Sequence, residues 1–228
     1  MTGEADQYRA TPAGAAIGAV IFDLDGVLLD SEQLWDESRR DVVSASGGQW
    51  QDGATAAMQG MSSPEWSRYM RDHLGLDLTD ARIVDLVVSD LLAHYERHLP
   101  LLPGAREAVA RMGQRWPLGL ASSANREVID AALSKAGFER AFAATVSSEE
   151  VPRGKPAPEV YLEAARRLGE DPARCAAVED STNGVRAARG AGMYVLCVPN
   201  PHFPPDDDVL AGTDAVLAGL DELTVERV

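Results

Sequence analysis

The sequence predicts an α/β protein, with a doubly wound, mainly parallel sheet as a Rossmann-like core and an α-helical cap domain inserted into it. Two patterns indicate this fold class. Short apolar runs alternate with amphipathic helical patterns over most of the chain, and one long stretch has helical spacing without strands. The 228 residues are 45% hydrophobic and 25% charged, which is typical of a globular protein.

The predicted core is built from residues 17–29 and 101–228, after a loose leader at 1–16. Six apolar runs predict its strands, at Ala19–Phe22, Leu118–Ala121, Ala143–Ser147, Cys175–Val178, Tyr194–Val198 and Ala215–Leu217. Helical patterns separate most of these runs, at Ala105–Arg115, Arg126–Gly137, Pro158–Leu168 and Thr182–Gly190. This alternation predicts parallel strands with helices on both faces.

The stretch 30–100 is the predicted helical cap. An apolar stripe with helical spacing runs from Ile83 to Tyr95, and Thr79 is placed to cap that helix. Ser62 and Glu65 have the spacing of a capping box at the start of another helix. Prolines restrict the backbone where the chain returns to the core at 99–104, which predicts a hinge.

The charge balance excludes two classes of partner. The chain has 21 basic and 36 acidic side chains, a formal net charge of −15, and no basic run. Such a charge repels nucleic acid and anionic membrane surfaces. No apolar stretch approaches the roughly 18–20 residues that span a bilayer. We therefore expect a cytoplasmic protein with two reduced core cysteines, and a monomer is compatible with the sequence.

Side chains that can carry chemistry follow several predicted strands. Asp23-Leu24-Asp25-Gly26 comes directly after the first strand, Ser122 after the second and Glu179-Asp180 after the fourth, while Lys155 precedes a helix. Two acids at this spacing, taken alone, are more often a polar strand end than a functional site. The carboxyl ends of parallel strands meet at one edge of a sheet, however, so we expect all four segments to converge there. Acids, a hydroxyl and a lysine together indicate a metal-plus-phosphate site.

Four segments resemble the motifs of the haloacid dehalogenase superfamily, at Val20–Glu32, Ala121–Asn125, Gly154–Glu159 and Val178–Ser181. They occur in the family's order, and the resemblance covers residues 19 to 220. The helical stretch is similar to the cap of the subgroup that contains β-phosphoglucomutase, phosphoglycolate phosphatase and sugar-phosphate phosphatases. The resemblance implies a hydrolase that acts on a small phosphate ester.

The chemistry of the two aspartates agrees with that resemblance. Asp23 is the expected nucleophile, because a carboxylate that attacks phosphorus gives an acyl phosphate that water can cleave. Asp25 is the expected general acid and base. Converging acids repel one another without a cation, and their hard oxygen ligands favour Mg²⁺. The resemblance implies that the metal ligands are the Asp23 carboxylate, the main-chain carbonyl of Asp25, Asp180 and Glu179.

The transferring phosphoryl group is expected to contact Ser122 and Lys155, together with backbone N–H groups around Leu24, Asp25 and Ser123. Lys155 is one of only two lysines beside nineteen arginines. The use of lysine here, in a chain that otherwise uses arginine, therefore indicates that this position requires a compact charge.

Three cap residues are candidates for binding the rest of the substrate. Trp35 can stack on it, Arg39 can bind an anionic group, and Ser63 belongs to a small-residue loop that resembles the family's specificity loop. Two of the three have an ordinary alternative. An aromatic residue on such a helix usually packs in the core, and an arginine there is often solvated.

The favoured function is a Mg²⁺-dependent phosphatase of a sugar or sugar-alcohol phosphate. Dehalogenases lack the second acid, here Asp25, and phosphonatases need a cap lysine, which this cap does not have. A β-phosphoglucomutase is expected to have histidine in place of Trp35 and arginine near Ser63. A mutase stays an alternative, as does a non-catalytic protein that binds a phosphorylated metabolite.

Overall fold

The computed structural model describes residues 16–228, so nearly all of the predicted leader lies outside the described residues. Within them, six strands form one sheet, β1 (Ala19–Phe22), β2 (Leu118–Ser122), β3 (Ala144–Ser147), β4 (Cys175–Glu179), β5 (Tyr194–Cys197) and β6 (Ala215–Val216). All neighbouring strands are parallel, in the order β3-β2-β1-β4-β5-β6. The predicted doubly wound sheet is confirmed.

The strand order reverses beside β1. From β1 the chain winds outward through β2 and β3, and it then returns to place β4 on the other side of β1. Val20 pairs with both Leu118 and Ala176, and the next residues continue both registers. In open parallel sheets ligands bind beyond the carboxyl ends of the strands at such a reversal. This places the candidate site above the ends of β1 and β4.

Helices cover both faces of the sheet. They are α5 (Ala105–Gly113), α6 (Arg126–Ala136), α7 (Glu159–Leu168), α8 (Thr182–Gly190) and the short α9 (Asp207–Leu210). Successive β1 side chains enter opposite layers, since Val20 and Phe22 belong to one apolar cluster and Ala19 and Ile21 to the other. Burial on both faces explains why the central strands are apolar throughout.

Four cap helices, α1 (Glu32–Ala45), α2 (Ala54–Met58), α3 (Ser63–Leu74) and α4 (Asp80–Arg97), lie between β1 and α5. The capping box at Ser62 and Glu65 is present, and the Thr79 side chain accepts a hydrogen bond from the Arg82 N–H. Among the described residues no helix has the length and apolarity to cross a membrane.

The chain enters and leaves the cap helices along two adjacent connections. The Asp30 N–H donates to the Pro100 carbonyl at 2.8 Å, and the Leu102 N–H donates to the Leu28 carbonyl at 2.9 Å. An antiparallel bridge joins Leu29 to Leu101 between these bonds. The cap helices are therefore joined to the core through a narrow double connection beside the end of β1.

Candidate active site

Two buried aspartates stand side by side at the ends of β1 and β4. Asp23 follows β1, is 7% exposed, and donates its N–H to the Val178 carbonyl of β4 at 3.0 Å. Asp180 follows β4 and is 1% exposed. The parallel register of the two strands brings these residues together. Sequence reasoning placed both aspartates at one edge of the sheet, and the structure has them there.

Lys155 bridges two carboxylates of this cluster. Its Nζ lies 2.9 Å from Asp23 Oδ1 and 2.6 Å from Glu179 Oε1, and the residue is 3% exposed. A buried charge without a partner is strongly destabilising, so the ammonium and the carboxylates depend on one another. Lys155, one of the two lysines in the sequence, thus lies at the centre of the site.

Burial and mutual repulsion shift the proton affinities of the group. Burial raises the pKa of Asp23 well above its usual value, and Glu179 and Asp25 add to the rise while Lys155 opposes it. Burial, together with Glu179 and Asp23, also raises the pKa of Asp180. For Lys155, burial lowers the pKa, but the attraction of Asp23 and Glu179 outweighs burial and leaves the pKa raised. The lysine therefore stays charged.

Glu179 is the most fully hydrogen-bonded member of the cluster. Its Oε1 accepts from Lys155 Nζ and from the Tyr161 hydroxyl at 2.7 Å, while its Oε2 accepts from the N–H groups of Asp180 and Ser181 and from the Ser181 hydroxyl. A Cβ on Gly184 would come within 1.9 Å of this carboxyl group, so glycine leaves the space that Glu179 fills. Glu179 is thereby held in one orientation toward Lys155.

The acidic cluster fits a divalent cation. Asp23, Glu179 and Asp180 each offer a carboxylate oxygen, and these three oxygens lie within 4.8 Å of one another. Asp180 Oδ1 is buried and lacks a hydrogen-bond partner among the described residues. A buried acceptor of this kind is costly unless a ligand satisfies it. Three converging hard oxygen ligands are typical of Mg²⁺ or Ca²⁺ sites.

Asp25 lies on the cap side of the cavity. Its Oδ1 accepts hydrogen bonds from the Ser31 hydroxyl at 2.5 Å and from Trp35 Nε1 at 3.0 Å. Trp35 is 4% exposed. The indole therefore orients the carboxyl group of Asp25, a role that sequence reasoning did not give it.

The residues predicted to bind the phosphoryl group lie in different surroundings. Ser123 lines the cavity, and its hydroxyl donates to the Gly60 carbonyl of the cap at 3.1 Å. Ser122 is fully buried, its Oγ accepts from the Ala124 N–H, and it is not among the residues that line the cavity. The Leu24 side chain is buried in the core, which leaves only its backbone for the predicted contact. The phosphate-binding roles of these residues stay predictions.

The three cap residues predicted to bind substrate differ in whether they line the cavity. Trp35 and Arg39 line the cavity. Ser63 does not: it is 1% exposed, and its hydroxyl donates to Asn125 Oδ1 at 2.8 Å. Because Asn125 precedes α6, this bond joins the cap to the core. The contact of Ser63 with substrate stays a prediction.

Glu32 and Trp66 are among the cavity residues that the sequence analysis did not predict as site residues. Glu32, Trp35 and Arg39 are spaced three and four residues apart on α1, so they share one helix face. That spacing was a usable signal for Glu32. Trp66 lies on a different cap helix, and nothing in its local pattern distinguishes it from a core tryptophan.

The cavity between cap and core is small. It leaves about 40 Å³ open to the centres of water molecules, room for about three waters. Its core side contains Asp23, Lys155 and Asp180, and its cap side contains Glu32 and Arg39. The site is therefore a narrow pocket partly open to solvent, whose buried walls strengthen electrostatic interactions.

A family model described as haloacid dehalogenase-like hydrolase matches residues 17–192. The chain belongs to this family. The haloacid dehalogenase-like assignment agrees with the sheet order, the inserted helices and the acidic cluster described above.

Curated relatives match almost the full chain. Hexitol phosphatase B of Escherichia coli (strain K12) is 35% identical over 219 residues, which cover 91% of this chain and 95% of the relative. The fructose-1-phosphate phosphatase of the same organism is 32% identical and covers 78% of this chain and 95% of its own.

Solved structures agree with the fold. The crystal structure of CbbY from Rhodobacter sphaeroides in complex with phosphate has a TM-score of 0.82 at 26% identity, covering 92% of this chain and 98% of its own. β-Phosphoglucomutase from Clostridium difficile has a TM-score of 0.79 at 22% identity, covering 92% and 94%, a likeness of fold alone.

Gly26 tests how closely the backbone after β1 must approach Asp180. Its φ is +80°, and a Cβ there would lie 1.8 Å from Asp180 Oδ2. We expect Gly26→Ala to lower any phosphate-releasing activity about 100-fold, because it displaces Asp180. The measurement is the rate of phosphate release together with the free energy of unfolding in urea.

Gly47→Ala is the matched control, since Gly47 has a φ of +76° but no atom within 4 Å of a built Cβ. Both variants should lose about 1–2 kcal/mol of stability from the left-handed backbone, and only Gly26→Ala should lose activity. Equal losses of activity in the two variants would show that strain, rather than contact with Asp180, is responsible.

Proposed function

We propose that the chain is a Mg²⁺-dependent phosphomonoesterase that hydrolyses a small phosphorylated sugar or sugar alcohol through an aspartyl-phosphate intermediate. The observation that carries this proposal is the buried set of Asp23, Lys155 and Asp180 in the pocket at the ends of β1 and β4. The names of the two phosphatase relatives support the substrate class.

In the first step a carboxylate oxygen of Asp23 attacks phosphorus. The bond between phosphorus and the ester oxygen breaks, and the leaving alkoxide takes a proton from Asp25. Lys155 opposes the rise in the pKa of Asp23 and offers N–H donors to the oxygens of the phosphoryl group. Backbone N–H groups at Leu24, Asp25 and Ser123, with the Ser122 hydroxyl, are the further proposed donors.

In the second step water cleaves the acyl phosphate. Asp25, now a carboxylate, accepts a proton from the attacking water, while the bond between phosphorus and Asp23 breaks and regenerates the free carboxylate. The hydrogen bonds from Ser31 and Trp35 hold Asp25 Oδ1, so its other oxygen is the one proposed to exchange protons. Inorganic phosphate then leaves.

The proposed ligands of Mg²⁺ are the carboxylates of Asp23, Asp180 and Glu179 and the main-chain carbonyl of Asp25. The bound cation supplies positive charge that offsets the crowded acids and the phosphate. Glu179 already accepts hydrogen bonds at both oxygens, so this chain uses it foremost to orient Lys155.

Substrate entry requires the cap to move. A hexose phosphate is far larger than the roughly three waters that the compartment holds. We propose that residues 30–100 swing away from the core about the double connection at Leu28–Asp30 and Pro100–Leu102. Hydrogen bonds from Ser123 to Gly60 and from Asn183 Nδ2 to the Gln59 carbonyl join the cap to the core. One apolar cluster also continues from the cap helices into the core, so the proposed opening would separate part of that cluster.

Asp23→Asn is expected to abolish phosphate release, because an amide is a far weaker nucleophile of nearly the same shape. The measurement is single-turnover release from p-nitrophenyl phosphate and from fructose 1-phosphate. Asp208→Asn, an exposed aspartate of α9, is the control and should keep full activity. Retention of more than a few per cent of activity in Asp23→Asn would remove Asp23 from the nucleophilic role.

Mg²⁺ is expected to support turnover and Ca²⁺ to inhibit it. The larger ion accepts more ligands in looser geometry, and a bidentate hold on Asp23 would occupy the attacking oxygen. The test compares turnover with each ion, and it also follows the rise of the melting temperature as Mg²⁺ is added. Asp180→Asn should lose most of that thermal shift. Equal turnover with both ions would contradict this assignment.

Hydrolysis is expected to exceed transfer of the phosphoryl group between sugar positions. A mutase must shield the acyl phosphate from water and present a second hydroxyl, whereas here Trp35 binds Asp25 and Ser63 binds Asn125. The assay follows glucose 6-phosphate and free phosphate from β-glucose 1-phosphate with Mg²⁺ and a trace of the bisphosphate. Glucose 6-phosphate that accumulates much faster than phosphate would establish the mutase instead.

A further inference from the structure

The cap wall of the cavity contains an arginine held between two tryptophans. Arg39 Cζ lies 5.1 Å from the ring centroid of Trp35 and 5.3 Å from that of Trp66. The two indoles contact each other edge to face, with centroids 6.3 Å apart. Attraction between the cation and the ring faces fixes the guanidinium in place. Arg39 is 7% exposed and lines the cavity.

One donor of this guanidinium has no partner among the residues that the structure describes. Arg39 Nε is buried, and among the described residues it has no hydrogen-bond partner. Burial lowers the pKa of Arg39, and Glu32 is the largest of the charges that oppose this shift. An arginine carries five N–H donors and cannot accept a hydrogen bond. A buried donor without a partner is costly, so this side chain is prepared for a ligand that enters the cavity.

Glu32 faces the same cavity from the same helix. It begins α1 two turns before Arg39 and is half-buried. Burial raises the pKa of Glu32 to about 7, with Asp25 adding to the rise and Arg39 opposing it. Whether ionised or neutral, this carboxyl group offers acceptor oxygens to the cavity.

A donor-only group and an acceptor on the wall of one cavity complement a hydroxyl, which both accepts and donates a hydrogen bond. A second phosphate or a carboxylate offers mainly acceptor oxygens, so it would match Arg39 but would place acceptors against the acceptor oxygens of Glu32. The faces of Trp35 and Trp66 provide apolar surface for C–H groups between hydroxyls. The chemistry of this wall therefore fits an uncharged polyhydroxylated chain.

We propose that Glu32 and Arg39 form a hydroxyl-recognising subsite, which selects substrates with one phosphate on an uncharged polyol and rejects those with a second anionic group. This inference rests on the proposed function and specifies its substrate class. It replaces the expectation that Arg39 binds an anionic group of the substrate.

The test uses three esters: fructose 1-phosphate, fructose 1,6-bisphosphate and hexyl phosphate, which lacks hydroxyls. Each is titrated calorimetrically, with Mg²⁺ present, into the Asp23→Asn protein, and each is also supplied to the wild-type enzyme as substrate. Fructose 1-phosphate should bind at least about tenfold more tightly than either of the others, since hydrogen bonds to charged groups carry such differences.

Two further substitutions separate the contributions of Arg39 and Glu32 to substrate binding. Arg39→Met should weaken the binding of fructose 1-phosphate about tenfold or more, and it should change the affinity for hexyl phosphate by no more than about threefold. Glu32→Gln keeps a hydrogen-bonding side chain but removes the charge, so it should narrow the preference for the monophosphate over the bisphosphate. The controls are Arg40→Met and Glu37→Gln on the exposed side of α1. Arg40 lies 4.3 Å from the Trp50 ring, so it matches the stacking of Arg39 outside the cavity.

Equal weakening of all three esters by Arg39→Met would overturn the proposal, because it would mean that Arg39 binds the phosphoryl group or supports the fold. An unchanged preference in Glu32→Gln would overturn the role of Glu32. Selective binding without hydrolysis by the wild-type enzyme would refute the proposed function while it upheld the subsite. Hydrolysis without selectivity would refute the subsite alone.

Discussion

The structure depends on the balance of charge around Lys155. One ammonium group contacts Asp23 and Glu179 in a compartment where neither carboxylate could be buried alone. Several neighbouring features of the site support this contact. The pairing of β1 with β4 brings the two acids to one edge of the sheet. Hydrogen bonds from Tyr161 and Ser181 orient Glu179, and Gly184, which has no side chain, leaves room for its carboxyl group. The charge of Lys155 also opposes the rise that burial and the neighbouring acids cause in the pKa of Asp23.

The cap completes this chemistry from the opposite side. It covers the acids and excludes most water, which strengthens every charge interaction within. Trp35 has two functions there, since its N–H orients Asp25 while its ring supports Arg39. Asp25 and Arg39 are therefore linked through one side chain. In the proposed opening, Trp35 and Arg39 would move with the cap, while Asp25 would stay on the core beside Asp23.

The sheet and the core acids could be predicted because local sequence determines them. A wholly apolar run that ends in Asp23 identifies a buried strand and its carboxyl end, and the same holds for Asp180. The contents of the cap wall could not be predicted in this way. Glu32 and Trp66 meet in the cavity only because two helices pack at a particular angle, and Ser63 turns to Asn125 for the same reason. Tertiary packing decides which face of a cap helix meets the substrate.

The central claim is that Asp23 carries the phosphoryl group between the two steps. It is tested most directly by acid-quenching the Asp25→Asn protein during turnover of p-nitrophenyl phosphate, an ester whose leaving group needs little protonation. Peptides are then examined by mass spectrometry. The account predicts a phosphoryl group on the Asp23 peptide that hydroxylamine removes. A phosphoryl group on another residue, or an unmodified Asp23 peptide after one equivalent of nitrophenol has been released, would contradict it.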